Sequence, residues 1–142
     1  MKSFISAVAA LLSFAAACYV QVGADRILSG ADGDYNIYVG TASSQCAILS
    51  VGKEEYESGL YDRAGVTGIS VNNVDGDYVK SEIDKLNARL VHTEIVGGVV
   101  VKYYYSTKIP AYKRVNGKKV NLQTAERSDN FTIGTPLIFG GY

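Results

Sequence analysis

The sequence predicts an α+β fold in which an antiparallel sheet carries one main helix packed on one face. Two observations predict it. Short apolar segments of strand character recur between turn signals along most of the chain, and residues 79–90 carry a single apolar stripe at helical spacing. Fifteen glycines and eleven tyrosines, with no tryptophan, are typical of a strand-rich chain with many turns. The flanking strands offer the only large apolar surface, so we expect the helix to lie across them.

Residues 1–24 have the pattern of a targeting segment. Lys2 is the only charge before Asp25, and an apolar run over residues 4–22 follows it. The short side chains of residues 22–24 suit cleavage before Asp25, which makes a cleaved signal peptide the favoured interpretation. The run is also long enough for an uncleaved membrane anchor, and Cys18 after three alanines allows a lipoprotein signal. All three alternatives place residues 25–142 outside the cytoplasm as a single α+β domain.

The first half of this domain is predicted to hold three strands. Residues 35–39, 46–51 and 66–71 are rich in β-branched and aromatic side chains and are bounded by glycines or polar residues. The polar stretch between the second and third strands is predicted to be a surface loop with at most one helical turn. Cys46 begins the second strand, and we expect it to be a buried, unpaired thiol.

The helix is predicted from four residues spaced at i, i+4, i+7 and i+11. They are Val79, Ile83, Leu86 and Leu90. An aspartate precedes the stripe at position 75 and another at position 77, and either can cap the helix N-terminus.

The remaining chain is predicted to be a meander of strands. Gly97-Gly98 marks a turn before the apolar run of residues 99–105. Asn116-Gly117 lies between residues 112–115 and residues 118–125, and this dipeptide is the strongest short signal for a hairpin. The last strand is expected over residues 131–139. Because Pro136 falls inside it, we expect an edge strand or a bulge there.

Two segments of the C-terminal part occur together with an earlier helix-to-strand pattern. The segments are residues 115–123 (VNGKKVNLQ) and 132–138 (TIGTPLI), and the pattern is LNA at 86–88 followed by YYS at 104–106. Over residues 68–142 this combination resembles the YwmB-like proteins, a poorly characterised envelope family of spore-forming bacteria. The resemblance implies a curved antiparallel sheet like that of the TATA-box-binding protein, no catalytic motif, and an association with sporulation. A fold label of this kind does not imply DNA binding.

Composition and motifs argue against most kinds of chemistry. Fourteen basic residues balance fourteen acidic ones, with a pI of about 6.6, so a generally basic nucleic-acid binder is not expected. One histidine and two cysteines cannot form a zinc site by themselves, and residues 73–82 fail the spacing of a calcium loop. No catalytic residue, cofactor or metal site is therefore predicted, and we expect a non-enzymatic envelope protein that acts by binding or assembly. The alternative is a small secreted hydrolase, which would need either a cleft with paired acids, such as those of residues 54–57, or contact between Cys46 and His92.

The charges are unevenly distributed along the chain. Residues 25–98 hold six basic and twelve acidic side chains, a net of −6, whereas residues 99–127 hold seven basic side chains and one acidic, a net of +6. The candidate surface for an anionic ligand comprises Lys102, Tyr103, Tyr105, Lys113, Arg114, Lys118 and Lys119. Outside the cell its partner would be an anionic membrane surface, a wall polymer or another protein. The competing interpretation is that the lysines keep an edge strand soluble.

Overall fold

A computed structural model describes residues 21–22, 25–41, 43, 45–59 and 65–139 and has an α+β architecture built on a seven-stranded antiparallel sheet. Alternating apolar segments form its strands, as predicted. In chain order the sheet strands are β3 (Asp34–Val39), β4 (Ala47–Val51), β5 (Val66–Val74), β6 (Arg89–Val96), β7 (Val99–Tyr105), β10 (Leu122–Arg127) and β11 (Asn130–Thr135). Two smaller pairs complete the strands: β1 (Gln21–Val22) with β2 (Asp25–Arg26), and β8 (Lys113–Val115) with β9 (Lys118–Val120).

The order of strands across the sheet is β4-β3-β5-β11-β10-β7-β6. Hairpins join β3 to β4, β6 to β7 and β10 to β11, and all neighbouring strands are antiparallel. The last strand, β11, lies in the centre of the sheet between β5 and β10. Of the two alternatives predicted for the last strand, the edge position is therefore wrong, whereas the strand does contain a register shift of the kind that a bulge produces, between Phe131 and Ile133. The strand ends at Thr135, so Pro136 follows the hydrogen-bonded ladder and its missing N–H removes nothing from it.

Two helices accompany the sheet in the described ranges: the short α1 (Lys53–Glu57) and the main helix α2 (Gly76–Lys85). Asp75 caps α2 as predicted, because its side chain accepts a hydrogen bond from the Tyr78 N–H at 2.8 Å. The helix is shorter than predicted. Asn87 adopts a left-handed conformation (φ 50°), and the N–H of Ala88 bonds back to the Ile83 carbonyl, which closes the C-terminus. Leu90, predicted on the helical stripe, instead lies in β6.

The main core lies between α2 and one face of the sheet. Val79 of the helix and Leu86, which caps its C-terminus, are buried there against apolar side chains of the central strands. Those strand residues are Tyr35, Ile37, Ile69, Val71, Tyr104, Leu122 and Ile133. We call this the helix side of the sheet. A smaller cluster of Val99, Val101, Ala125 and Ile138 lies on the opposite side.

Three tyrosines hold residues 27–29 by donating hydrogen bonds from their hydroxyl groups to three successive carbonyl oxygens. The bonds run from Tyr56 to Ile27 (2.6 Å), from Tyr35 to Leu28 (2.5 Å) and from Tyr78 to Ser29 (3.0 Å). The rings of Tyr35 and Tyr56 also stack, with their centres 4.5 Å apart. Since the tyrosines belong to β3, α1 and α2, three separate elements fix this segment in the core. We call the arrangement the tyrosine tether.

The predicted targeting segment lies outside the described residues except for Gln21–Val22, which pair with Asp25–Arg26. Within the described ranges, no helix is long and apolar enough to cross a bilayer.

A candidate anion-binding hairpin

The β8–β9 hairpin is formed by the turn that the sequence predicts. Asn116 and Gly117 have φ angles of 52° and 76°, and two central residues of positive φ define the tight turn that best fits the twist of a hairpin. Glycine and asparagine adopt this conformation at the lowest cost. The Arg114 guanidinium also donates a hydrogen bond to the Gly117 carbonyl at 3.2 Å, which links one strand to the turn.

One face of the hairpin combines two cations with an aromatic ring. Arg114 lies directly opposite Lys119, and both are exposed. Like charges in this position repel each other, but both cations lie over the ring of Tyr112. The Lys119 nitrogen is 4.6 Å from the ring centre and the Arg114 guanidinium carbon is 5.9 Å from it. Each such contact stabilises an exposed pair by about 0.5–1 kcal/mol, which offsets part of the repulsion.

The other face of the hairpin is partly apolar. Lys113 lies opposite Val120, and Lys118 lies opposite Val115. Arg114 and Lys119 are therefore the one pair of bases that lie directly opposite each other in this hairpin. Val120 is fully buried and anchors this face, while Lys118 at the tip is exposed.

The base of the hairpin is fixed by Asn121, which is completely buried. Its side-chain oxygen accepts from the Ser106 N–H at 2.8 Å, and its side-chain nitrogen donates to the carbonyls of Ser106 (2.8 Å) and Ile109 (3.2 Å). Its carbonyl accepts from the Thr135 hydroxyl at 2.6 Å, and its N–H donates to Tyr104. Because every polar group of Asn121 is paired, the hairpin is held firmly against the end of the main sheet.

The four bases of the hairpin have no carboxylate partner in the part of the chain that the structure describes. The ion pairs found there, Lys53 with Asp32 and Lys85 with Glu82, involve other residues. The hairpin also forms a separate two-stranded sheet, whereas β4 and β6 are the edges of the main sheet. Both strands of this two-stranded sheet are themselves edges, so the lysines shield no edge of the main sheet but can keep the edges of the hairpin soluble.

The predicted surface is divided by the structure. Lys113, Arg114, Lys118 and Lys119 come together on the hairpin, whereas the other three residues lie on β7 and alternate between its two faces. Lys102 lies on the helix side, beside Val79 and Ile83. Tyr103 and Tyr105 lie on the opposite side, and the Tyr103 hydroxyl donates to Glu94 at 2.5 Å.

Tyr112 is the residue that the candidate surface left out. It lies two residues before Arg114, and two residues apart on an extended chain share a face. This spacing is visible in the sequence and is the signal that could have identified it.

The alternative nucleophile pair is separated by the whole sheet. Cys46 immediately precedes β4 at one edge, and His92 lies on β6 at the other. Six strand spacings of roughly 4.8 Å separate those edges by about 29 Å, so the two side chains cannot form a catalytic pair. Cys46 is half-buried and not in the core, so the prediction of a fully buried thiol is wrong. Its partial burial raises the pKa of the thiol.

Among the acids of residues 54–57, Glu57 has a structural role. The Glu57 carboxylate accepts a hydrogen bond from the Gly30 N–H at 2.8 Å, so it supports the loop beside the tyrosine tether. Over the described residues, no three histidine, cysteine, aspartate or glutamate side chains are placed to hold a metal ion.

Comparison of the chain with models of protein families, with curated proteins and with solved structures finds no match. The resemblance to the YwmB-like proteins therefore stays a prediction.

Proposed function

We propose that the chain is an exported, non-enzymatic protein that attaches to a phosphate-bearing anionic surface through the β8–β9 hairpin. The observation that carries the proposal is the face formed by Tyr112, Arg114 and Lys119, where two unneutralised cations lie over one ring. Arginine and lysine donate to phosphate oxygens, and tyrosine adds an amphipathic ring suited to an interface. Lipid headgroups and phosphate-bearing wall polymers offer the same chemistry.

Export is supported by the position at which the core begins. Ile27 and Leu28 are fully buried, and they follow the predicted cleavage position before Asp25 by only two residues. A peptidase cutting there would leave the tyrosine tether intact. A lipid on Cys18, or an uncleaved anchor, would likewise leave a short connection between the membrane and the core.

The hairpin proposal is tested by measuring attachment of the full chain to vesicles with and without anionic lipid. The double variant Arg114→Ser/Lys119→Ser removes two cations that would each contribute about 1 kcal/mol near an anionic surface, so binding should weaken roughly thirtyfold. The matched control is Lys80→Ser/Arg127→Ser, which removes the same charge from exposed sites outside the hairpin. Only the hairpin variant should bind more weakly, and only to anionic vesicles.

Salt and a soluble competitor distinguish the possible sources of phosphate. Raising the ionic strength from about 0.01 M to about 0.15 M shortens the screening length from about 30 Å to about 8 Å and should release the wild-type chain. If a phosphate-bearing polymer competes with the vesicles at equal phosphate concentration, the wall polymer is the better ligand. Equal binding of wild type and hairpin variant to both materials would disprove the proposal.

A further inference from the structure

Strand β6 is an edge strand with unusual exposure of apolar side chains. Three of the five large apolar side chains exposed in the described residues lie on it: Ile95 is 74% exposed, Leu90 55% and Val96 49%. The strand spans eight residues without proline or lysine, but it does carry Arg89, Glu94 and a bulge-like irregularity, which also discourage pairing at a sheet edge. Because β6 has a neighbour on one side only, its outer backbone groups face no other strand of the sheet.

The register between β6 and β7 fixes which side chains share a face. Leu90, Thr93 and Ile95 lie opposite Tyr104, Lys102 and Val100, which belong to the helix side. His92 and Glu94 lie opposite Tyr103 and Val101 on the other side. An irregularity between Leu90 and His92 inserts Val91 as an extra residue, which is why Leu90 and Ile95 point to the same side although they are five residues apart.

These faces make β6 complementary to itself. In an antiparallel pair of two β6 strands related by a two-fold axis, residues directly opposite must lie on the same side of the sheet. An axis at Thr93 places Thr93 opposite its own copy and His92 opposite Glu94 twice, which brings a base opposite an acid at both positions. With Val91 as the extra residue, Leu90 then lies opposite Ile95 in both halves.

Neighbouring registers lack the pairing of Leu90 with Ile95. An axis at Glu94 places two carboxylates directly opposite each other, and such pairs are unfavourable. An axis at His92 places Glu94 opposite Arg89 at both positions, but it places two imidazoles opposite each other and leaves Ile95 without an apolar partner. An axis that falls between two residues would pair side chains from opposite faces of the sheet, which the pleat of the strands does not allow.

We propose that β6 is an interface for a second copy of this chain, with antiparallel β6–β6 pairing about Thr93 that joins the two main sheets into one. Main-chain hydrogen bonds along the edge supply the attachment, and the side-chain pairs fix the register. The helix-side pairs of Leu90 with Ile95 cover the most exposed apolar side chains of the edge. This proposal does not depend on the hairpin or its ligand.

The register is tested by cross-linking in cells that express the full chain. Thr93→Cys is introduced with Cys18 and Cys46 changed to Ser, so that the new thiol is the only one. Directly opposite Cβ atoms lie about 4.5–5.5 Å apart, so a short bis-maleimide, which adds one thiol to each of its two double bonds, should join two copies. Thr107→Cys in the same background is the control, because Thr107 is exposed on another part of the chain. Failure of Thr93→Cys to give the double-mass product above the control overturns the proposal.

The affinity is tested by sedimentation equilibrium of the detergent-solubilised full chain. Ile95→Lys should weaken the dimer about tenfold or more, because an unpaired charge would enter the interface. Ile48→Lys is the matched control: Ile48 is 41% exposed on β4, at the opposite edge of the same sheet. A wild-type monomer at all accessible concentrations, or equal effects of the two substitutions, contradicts the proposal.

A charge exchange separates side-chain pairing from general disruption. His92→Glu places two carboxylates opposite each other and should weaken the dimer, whereas His92→Glu/Glu94→His restores one acid and one base at each position. Recovery of affinity in the double variant supports the register, and a double variant that binds no more tightly than His92→Glu refutes it.

Discussion

Tyr35 makes the unfolding free energy of the protein fall as the pH rises through the alkaline range. It is fully buried, and its hydroxyl donates to the Leu28 carbonyl at 2.5 Å and accepts from the Ala31 N–H at 3.2 Å. Desolvation by burial raises the pKa of Tyr35 to about 12 in the folded protein, against about 10 in an unfolded chain. Because the folded state favours the neutral phenol, this contribution to stability is fully present below about pH 10 and is lost as the pH rises through about 12.

The size of the effect follows from the difference in pKa. Each pKa unit corresponds to about 1.4 kcal/mol, so the Tyr35 contribution falls by about 1.4 kcal/mol at pH 11 and by at most about 2.7 kcal/mol above pH 12. Tyr35→Phe leaves two buried backbone groups without partners, which costs roughly 2–6 kcal/mol at neutral pH. Since phenylalanine does not titrate, the difference in unfolding free energy between wild type and Tyr35→Phe should shrink by about 1.4 kcal/mol at pH 11 and by at most about 2.7 kcal/mol above pH 12.

The measurement is urea unfolding followed by circular dichroism, from about pH 8 to about pH 12. Tyr112→Phe is the control, because Tyr112 is 46% exposed and loses no buried hydroxyl. A difference in unfolding free energy between wild type and Tyr35→Phe that stays constant over this pH range would refute the reasoning.

Two further substitutions test the helix cap and the centre of the sheet. Asp75→Ala removes the acceptor for the Tyr78 N–H and should lower the unfolding free energy by about 1 kcal/mol. Urea unfolding measures the loss, and Asp77→Ala is the control because Asp77 is exposed. Gly68→Ala would place a Cβ atom 2.5 Å from the Thr135 carbonyl oxygen and should lower the unfolding free energy by about 1–3 kcal/mol or more. Thermal unfolding measures this loss, and an unchanged midpoint would show that β5 and β11 separate freely at this point.

Local features of the fold could be predicted because local physics determines them. The Asn116-Gly117 turn requires positive φ at two positions, and Asp75 caps α2 wherever that helix packs. The end of α2 was predicted too late because Leu90 falls on the helical period by coincidence. The left-handed Asn87 ends the helix first, and asparagine at that position was the available signal.

Long-range pairing could not be predicted from the sequence. Alternation identifies β11 as a strand but does not say that it inserts between β5 and β10, since that choice depends on the packing of the complete sheet. In the candidate site, too, local features could be predicted from the sequence and long-range ones could not. The hairpin bases were found because they are close in the sequence, whereas the separation of Cys46 from His92 depends on the strand order.

The tyrosine tether sets the position at which the folded domain must begin. Burial of Ile27 and Leu28 contributes about 3–6 kcal/mol, and the three hydroxyl hydrogen bonds contribute about 1.5–4.5 kcal/mol. Together these terms are comparable to the whole stability of a typical domain, about 5–15 kcal/mol. We therefore expect a chain that starts at Asp25 to fold and a chain that starts at Gly30 to remain unfolded.

Circular dichroism and limited proteolysis of the two truncated chains measure this difference directly. A third chain keeps residues 25–29 but carries Tyr35→Phe/Tyr56→Phe/Tyr78→Phe. It should lose the stability that comes from the three hydroxyl hydrogen bonds and keep the stability that comes from burying Ile27 and Leu28. If the chain that starts at Gly30 unfolds with the same midpoint as the chain that starts at Asp25, the tether does not support the core. If the tether does support the core, a leader peptidase must cut before Ile27, because a later cut would remove the residues on which β3, α1 and α2 converge.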